Sequence, residues 1–176
     1  MFDLGLSQQE LMDRGVTLGA DVPYCILGGT ALSEGIGEVL TPVTDVAPCK
    51  VLLVKPNIDV STKWVYTTLR WQELTSHPDI DGMIEAIEAG NLLEMTNKMG
   101  NVLATVTEAE YPIITEIKNK MVELGALGSM MSGSGPTVFG IFNDRNAAKA
   151  AYSFFKESDL GRQVYLTDGG NGDERY

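Results

Sequence analysis

The side chain that most suggests chemistry is a single carboxylate, Asp21, in the stretch GADVP. Pro23 has a fixed φ angle and biases Val22 toward an extended backbone, so the carboxylate should be held at one angle. A carboxylate held in this way can accept a proton as a general base. Asp is also a common turn residue in such a segment, and the local residues leave both interpretations open.

A second candidate is the tripeptide Gly133-Ser134-Gly135, which lies between two apolar segments. Glycine allows positive φ angles and a close approach of the backbone to a ligand. Successive backbone N–H groups in such a turn can bind an anion, and the Ser134 hydroxyl would add another donor. A tight hairpin turn uses the same residues, so the tripeptide alone does not decide between the two.

The other reactive side chains form no recognisable catalytic set. His77 is the only histidine, and its polar segment TSHPDI predicts a surface position without a catalytic partner. Cys25 and Cys49 form no CxxC motif and are predicted to be buried free thiols in a reducing compartment. No zinc-ligand spacing is present, so no metal ligand is predicted. Trp64 and Trp71 are expected in the core.

The first 45 residues are predicted to hold one short helix and one β-hairpin. Ser7 and Glu10 have the spacing of a capping box at the start of the helix. Two strands, at about residues 24–33 and 37–43, should follow and be joined by a glycine turn. An isolated hairpin is marginal in water, so residues 1–45 are expected to be the end of a larger domain and to expose an apolar patch.

Residues 46–176 show the order β, several α, β-β, α, β. The continuous apolar run CKVLLVKP predicts a central strand. Ser61 and Asp144 should begin helices, and Thr107 with Glu110 predicts a second capping box. This order is typical of an α+β, ferredoxin-like split βαβ domain with helices over one face of an antiparallel sheet.

Composition limits the partners that the chain can have. A net charge of -11 argues against nucleic acid, whose binding depends on Lys and Arg. It does not exclude a nucleotide, because backbone N–H groups can hold phosphates. No apolar run approaches the roughly 20 residues that a membrane helix requires, and the first residues do not resemble a signal peptide. These features predict a cytoplasmic protein and do not indicate its oligomeric state.

Two segments together, GADVPYCILGGTALSEGIGEVLTPV and GALGSMMSGSGPTVFGIF, closely resemble the GHMP kinase superfamily. The segment KPNIDVSTKWVY lies between them, in the same order as in that family. The resemblance is to the branch that phosphorylates a sugar alcohol linked to cytidine diphosphate, in the non-mevalonate isoprenoid pathway. It covers nearly the whole chain.

The resemblance implies an ATP-dependent kinase of two domains with its active site between them. Members begin with a strand that carries a lysine and with a Gly/Ser-rich loop around the ATP phosphates, and neither is found in this sequence. Residues 1–45 would then be the end of the N-terminal domain, and residues 46–176 the C-terminal domain. Because phosphoryl transfer depends on positioning and electrostatics, we expect these 176 residues by themselves to lack kinase activity.

The resemblance also implies roles for individual residues. Asp21 matches the catalytic Asp, which would accept the proton of the substrate hydroxyl as this oxygen attacks the γ-phosphorus of ATP, with Mg²⁺ as the accompanying ion. Residues 133–135 match a loop that closes over the phosphates. Thr62 and Tyr66 match positions that line the cytidine-diphosphate pocket, where Tyr66 would stack on the cytosine ring.

Two alternatives remain open at this point. Another GHMP kinase, of the homoserine or mevalonate kinase type, would share the fold and the glycine-containing loop. A non-catalytic ferredoxin-like module could use the same loop to bind a small anion. The second alternative explains why no ATP loop is found in the sequence, but it leaves the GADVP segment without a role.

Overall fold

A computed structural model of the chain describes residues 5–74 and 77–170. The chain divides into two compact units between Asp45 and Val46. The first unit contains short helices and a hairpin, and the second contains a four-stranded sheet with its helices. That the first unit is the end of a larger kinase domain stays a prediction.

The first unit begins with the predicted helix. The Ser7 backbone N–H donates to the Glu10 carboxylate at 2.8 Å, and the Glu10 N–H donates to Ser7 Oγ at 3.3 Å, so the capping box is confirmed. A β-hairpin is also present, and its two strands pair antiparallel. The elements of this unit are α1 (Gln8–Gly15), α2 (Val22–Leu27), β1 (Ala31–Glu34) and β2 (Val39–Pro42).

The prediction of a strand over residues 24–33 is wrong at its start, because residues Val22–Leu27 form α2. Pro23 occupies the first turn of this helix, where its missing N–H breaks no intrahelical hydrogen bond. Gly28, with a φ of 69°, ends the helix. A short apolar run fits a strand or a helix equally well, so periodicity could not decide. Cys25 is consequently exposed, not buried, and remains a free thiol.

The first unit has few buried residues and several exposed apolar side chains. Gly15 lets α1 approach α2 closely, because a Cβ atom there would lie 2.8 Å from Val22 Cγ1. Among the described residues of this unit, Leu18 is 84% exposed, Ile36 75% and Val39 51%. Exposed apolar surface was expected of a hairpin with so little structure to cover it.

The second unit is an α+β domain built on an antiparallel sheet. Its strands are β3 (Cys49–Lys55), β4 (Gly128–Met131), β5 (Val138–Phe142) and β6 (Gln163–Gly169), in the order β4-β5-β3-β6. The central strand β3 places Leu52 opposite Gly140 on one side and opposite Leu166 on the other. The first strand of the unit thus lies between its third and fourth, which confirms the predicted ferredoxin-like split βαβ fold.

Helices cover both faces of this sheet, although the sequence predicted them over one face. They are α3 (Thr62–Thr68), α4 (Ile80–Glu88), α5 (Leu92–Lys98), α6 (Ala104–Glu110), α7 (Ile113–Glu123) and α8 (Arg145–Glu157). Leu52, Val54 and Phe142 pack into one core with α7 and α8. Cys49 and Ile141 pack into a second core with α4 and α5. Successive strand residues point to opposite faces of the sheet, and apolar residues lie on both faces, so helices pack against both.

The predicted second capping box is wrong. Thr107 lies inside α6 and is fully buried, whereas Glu110 is the last residue of that helix. Pro112 is the N-cap residue of α7, so α6 and α7 are separate helices. Trp64 packs against the core as expected, but Trp71 is 68% exposed and does not.

Other local predictions are confirmed. Ser61 Oγ accepts a hydrogen bond from the Trp64 N–H at 3.3 Å and begins α3. Asp144 caps α8 by accepting from the Asn146 N–H at 2.6 Å. Cys49 is a buried free thiol whose pKa is raised by burial, and His77 is exposed.

Within the described ranges, no helix has the length and apolar character needed to cross a membrane.

Two neighbouring phenylalanines test the position of the main core. Phe155 is fully buried, whereas Phe154 is 37% exposed. Phe155→Ala should lower the free energy of unfolding by about 3–5 kcal/mol, because it leaves a cavity in a close-packed core. Phe154→Ala should cost about 1 kcal/mol or less. Urea denaturation of both variants measures the difference, and equal losses would contradict the core described above.

Candidate functional site

The predicted GSG tripeptide lies in the loop that connects β4 to β5. The Ser132 N–H donates to Thr137 O at 2.8 Å, and the Gly135 N–H donates to Ser132 O at 2.9 Å. These two hydrogen bonds close the base of the loop. Gly133 and Gly135 have φ angles of 54° and 85°, a region that glycine occupies without steric cost. The turn interpretation of the tripeptide is therefore correct as far as the backbone is concerned.

The two glycines of the loop differ in their surroundings. A Cβ atom at Gly135 would lie 2.6 Å from Met131 Sδ and 3.2 Å from Met131 Cγ. Met131 is fully buried, so it has little room to move away. At Gly133, nothing would lie within 4 Å of an added Cβ atom. Gly135 is thus required by packing as well as by its backbone angle, and Gly133 by its backbone angle alone.

Side chains from the α6 region hold the carbonyl groups of the loop. Asn101 Nδ2 donates to Met131 O and to Gly133 O, each at 2.8 Å. The buried hydroxyl of Thr107 lies 3.2 Å from Ser134 O and 3.3 Å from Leu103 O, and its one proton is shared between these two acceptors. Sequence reasoning missed both residues. An Asn or Thr that contacts a loop about 30 residues away leaves no periodic or capping signal in the sequence.

One hydrogen bond joins the predicted phosphate loop to the predicted substrate helix. Thr62 Oγ1 and Ser134 Oγ lie 2.9 Å apart. Thr62 is the first residue of α3, which Ser61 caps. Tyr66 lies one helical turn later and so shares a face with Thr62. Its side chain is 61% exposed, which leaves the ring accessible for stacking on a planar ligand.

Asp21 belongs to the first unit, where it is the N-cap residue of α2. Its side chain makes no capping hydrogen bond, and no side-chain hydrogen bond of Asp21 is found within the described ranges. The alternative in which the carboxylate hydrogen-bonds its own backbone is therefore not seen. Asp21 is exposed, and a Cβ atom at Gly37 would lie 3.8 Å from Asp21 Oδ1. The carboxylate is available as a proton acceptor.

The second unit also contains an open groove of about 720 Å³. None of the predicted site residues lines it; Arg70, His77, Asp79, Lys98 and Asn101 do. Lys98 Nζ donates to the Asp79 carboxylate at 2.6 Å, and this bond holds the pKa of Asp79 below its usual value. In the part of the chain that is described, no group of three or more His, Cys, Asp or Glu residues could hold a metal ion.

Comparisons with known proteins give the same family as the motifs. A family model described as GHMP kinases C terminal matches residues 83–159, which include Asn101, Thr107 and the whole β4–β5 loop. A relative from Alkaliphilus oremlandii is 56% identical over 163 residues and is named 4-diphosphocytidyl-2-C-methyl-D-erythritol kinase. Residues 83–159 of this chain therefore form a GHMP kinase C-terminal domain. The resemblance inferred from the motifs is confirmed.

Other relatives of this chain carry the same name. Proteins from Lachnospira eligens and Lachnoclostridium phytofermentans are 50% and 51% identical to it, over 96% and 95% of its length. The match to the Alkaliphilus oremlandii protein covers 90% of the chain. The chain spans only 56–58% of the length of these three relatives.

Solved structures share the fold of this chain. A crystal structure of 4-(cytidine 5'-diphospho)-2C-methyl-D-erythritol kinase is 29% identical, with a TM-score of 0.77 over 92% of this chain and 57% of that one. A homoserine kinase from Cytophaga hutchinsonii is 20% identical, with a TM-score of 0.78 over 96% of this chain and 60% of that one. Because the two scores are nearly equal, the fold alone does not select the phosphate acceptor.

The contrast between the two loop glycines can be tested by the same substitution at both. Gly133→Ala should cost about 1–2 kcal/mol, because a left-handed backbone is unfavourable for alanine. Gly135→Ala should cost about 1–3 kcal/mol more, because its Cβ would also overlap with Met131. Chemical denaturation of both variants gives the two free energies. A Gly135→Ala variant as stable as Gly133→Ala would show that the packing at Met131 is described wrongly.

Proposed function

We propose that this chain forms part of a kinase that transfers the γ-phosphoryl group of ATP to the 2-hydroxyl of 4-diphosphocytidyl-2-C-methyl-D-erythritol. The observation that carries the proposal is the 56% identity, over 90% of the chain, to a relative of that name. ATP use is supported by membership of the GHMP kinases. Since the chain spans 56% of that relative, the activity is proposed for a longer protein that contains these residues.

Asp21 is the proposed general base. Its exposed carboxylate has no competing capping bond and would take the proton of the tertiary hydroxyl as that oxygen bonds to the γ-phosphorus. The bond from the γ-phosphorus to the bridging oxygen breaks at the same time, and ADP leaves with the electron pair. A base of this kind contributes about 10²–10⁴ to the rate. Positioning and electrostatic stabilisation supply most of the remainder.

The β4–β5 loop is proposed to bind phosphate oxygens through its N–H groups and the Ser134 hydroxyl. Thr62 and Tyr66 would line the cytidine-diphosphate end of the substrate, and the exposed Tyr66 ring would stack on the cytosine. Stacking of this kind is worth roughly 1–3 kcal/mol per base in single-stranded nucleic-acid sites. The hydrogen bond between Thr62 and Ser134 supports this assignment, since it joins the two groups of residues.

Mg²⁺ is proposed to accompany ATP and to neutralise charge on its phosphates. Mg²⁺ keeps several waters and is bound through substrate phosphates with one or two carboxylates. The described residues contain no cluster of three or more metal ligands, which fits an ion that needs no dedicated protein cage. Because ATP and the substrate are intracellular metabolites, the proposed compartment is the cytoplasm.

A panel of acceptors tests the proposed function. The residues that precede the matched region in the Alkaliphilus oremlandii relative are joined ahead of this chain in one chimeric protein. ADP release is measured with 4-diphosphocytidyl-2-C-methyl-D-erythritol, homoserine and mevalonate, for the chimera and for the 176-residue chain alone. We expect only the first acceptor to stimulate the chimera, and no turnover by the chain alone. Stimulation by homoserine or mevalonate instead, or by no acceptor, would contradict the proposal.

Removal of the Asp21 charge tests the proposed base. Asp21→Asn keeps the size of the side chain but removes its basicity, so kcat of the chimera should fall by about 10²–10⁴ while the melting temperature changes little. Asp13→Asn is the matched control, because Asp13 lies in the same unit and contacts Gln9 at 2.8 Å. Steady-state kinetics of the chimera with each substitution give the two kcat values to be compared. A kcat that is equal in the two variants would remove Asp21 from the chemistry.

A further inference from the structure

Asn101 uses the whole hydrogen-bonding capacity of its side-chain amide nitrogen on the β4–β5 loop. One Nδ2 proton is available for each of its two acceptors, Met131 O and Gly133 O, both at 2.8 Å. Its Oδ1 accepts from the Leu103 N–H at 2.9 Å, which fixes the orientation of the amide. Asn101 is therefore itself held in place, and it binds the loop at the end of β4 and again within the turn.

Because the peptide bond is planar, this contact also determines the direction in which a backbone N–H group of the loop points. In a trans peptide, the C=O of one residue and the N–H of the next point in opposite directions. Because Gly133 O points at Asn101, the N–H of Ser134 points away from Asn101. Within the described part of the chain, the N–H groups of Gly133 and Ser134 donate to no acceptor, as the loop hydrogen bonds involve Ser132 and Gly135 instead.

Thr107 makes a similar contact with a different consequence. It binds Ser134 O, so the N–H that it directs is that of Gly135. The Gly135 N–H already donates to Ser132 O at 2.9 Å and is not available to a ligand. Asn101, not Thr107, thus determines the direction of an available donor. Gly133 would otherwise leave this peptide free to rotate, since glycine has access to both signs of φ.

We infer that Asn101 is a positioning residue for the proposed phosphoryl transfer: it fixes the peptide between Gly133 and Ser134 so that the Ser134 N–H donates to a phosphate oxygen. The inference rests on the proposed function of the loop. It adds a residue that does not touch the substrate, and it assigns the donor that this residue controls. Loss of Asn101 should therefore weaken phosphate binding without unfolding the domain.

Inorganic phosphate is the probe, and the backbone amide resonances of Gly133 and Ser134 in the ¹⁵N-labelled chain are the readout. Asn101→Ser keeps a side-chain oxygen that can accept from the Leu103 N–H but cannot reach the two carbonyl groups. Asn91→Ala is the matched control, because Asn91 caps α5 by accepting from the Glu94 N–H at 3.1 Å and, among the described residues, its side chain makes no hydrogen bond to the β4–β5 loop. Sodium chloride at equal ionic strength removes effects of screening.

We expect phosphate to shift both amide resonances in the unmodified chain and in Asn91→Ala. In Asn101→Ser the same response should require about tenfold more phosphate or not occur, as expected for the loss of one hydrogen bond to a charged group. An unchanged response in Asn101→Ser overturns the inference, and so does an unmodified chain whose loop amides ignore phosphate. Activity of the chimera tests the proposed function separately, since it does not depend on these resonances.

A measurement on the unmodified chain applies if Asn101→Ser fails to fold. The two side-chain amide protons of Asn101 should exchange with water more slowly than those of Asn146, which is exposed. Slow exchange supports the two hydrogen bonds to the loop. Exchange as fast as that of Asn146 would overturn the inference, because an amide that donates to two carbonyl groups is protected.

Discussion

The hydrogen bonds that satisfy the carbonyl groups of the β4–β5 loop are the constraint on which the candidate site depends. A loop with two glycines at positive φ has many conformations available to it. Asn101 and Thr107 favour one of them through hydrogen bonds to the carbonyl oxygens of Met131, Gly133 and Ser134. Each of these hydrogen bonds contributes about 0.5–1.5 kcal/mol, so the alternative conformations are disfavoured. In this conformation the N–H groups of Gly133 and Ser134 make no hydrogen bond within the described residues.

The cores of the second unit hold these donors in place. Leu103 and Val65 are buried in the same core as Phe142, which fixes the start of α6 and the middle of α3 beside the sheet. Asn101 and Thr107 flank Leu103, and Thr62 lies one turn before Val65 on α3. Packing of apolar side chains therefore determines where three polar side chains meet the loop. A close-packed core allows them little freedom to shift.

Local signals were sufficient for most of the second unit. The apolar run of β3, the caps Ser61 and Asp144 and the GSG turn each act within a few residues, and the structure has all of them. The helix at Val22–Leu27 was missed because six apolar and aromatic residues suit a strand as well as a helix. Asn101 was missed for another reason: its contacts with the loop span 30 and 32 residues, and no sequence pattern indicates them.

Fold and sequence carry different parts of the functional argument. The fold is shared with a homoserine kinase at a TM-score of 0.78 and 20% identity, so the fold by itself does not indicate an acceptor. Sequence identity of 56% to a 4-diphosphocytidyl-2-C-methyl-D-erythritol kinase supports the acceptor that we propose. In the second unit, the exposed Tyr66 ring lies one helical turn after Thr62, whose hydroxyl contacts Ser134 of the loop, and this arrangement supports the proposed cytidine-diphosphate site.

The atom that receives the phosphoryl group is the most direct test of this account. ³¹P NMR of the product formed by the chimera from ATP and 4-diphosphocytidyl-2-C-methyl-D-erythritol identifies that atom. We expect a new phosphomonoester signal without coupling to a carbinol hydrogen, because the 2-hydroxyl is on a tertiary carbon, and we expect the signals of the diphosphate to remain. A new signal split by such a hydrogen, or release of ADP and free phosphate without a new ester, would contradict it.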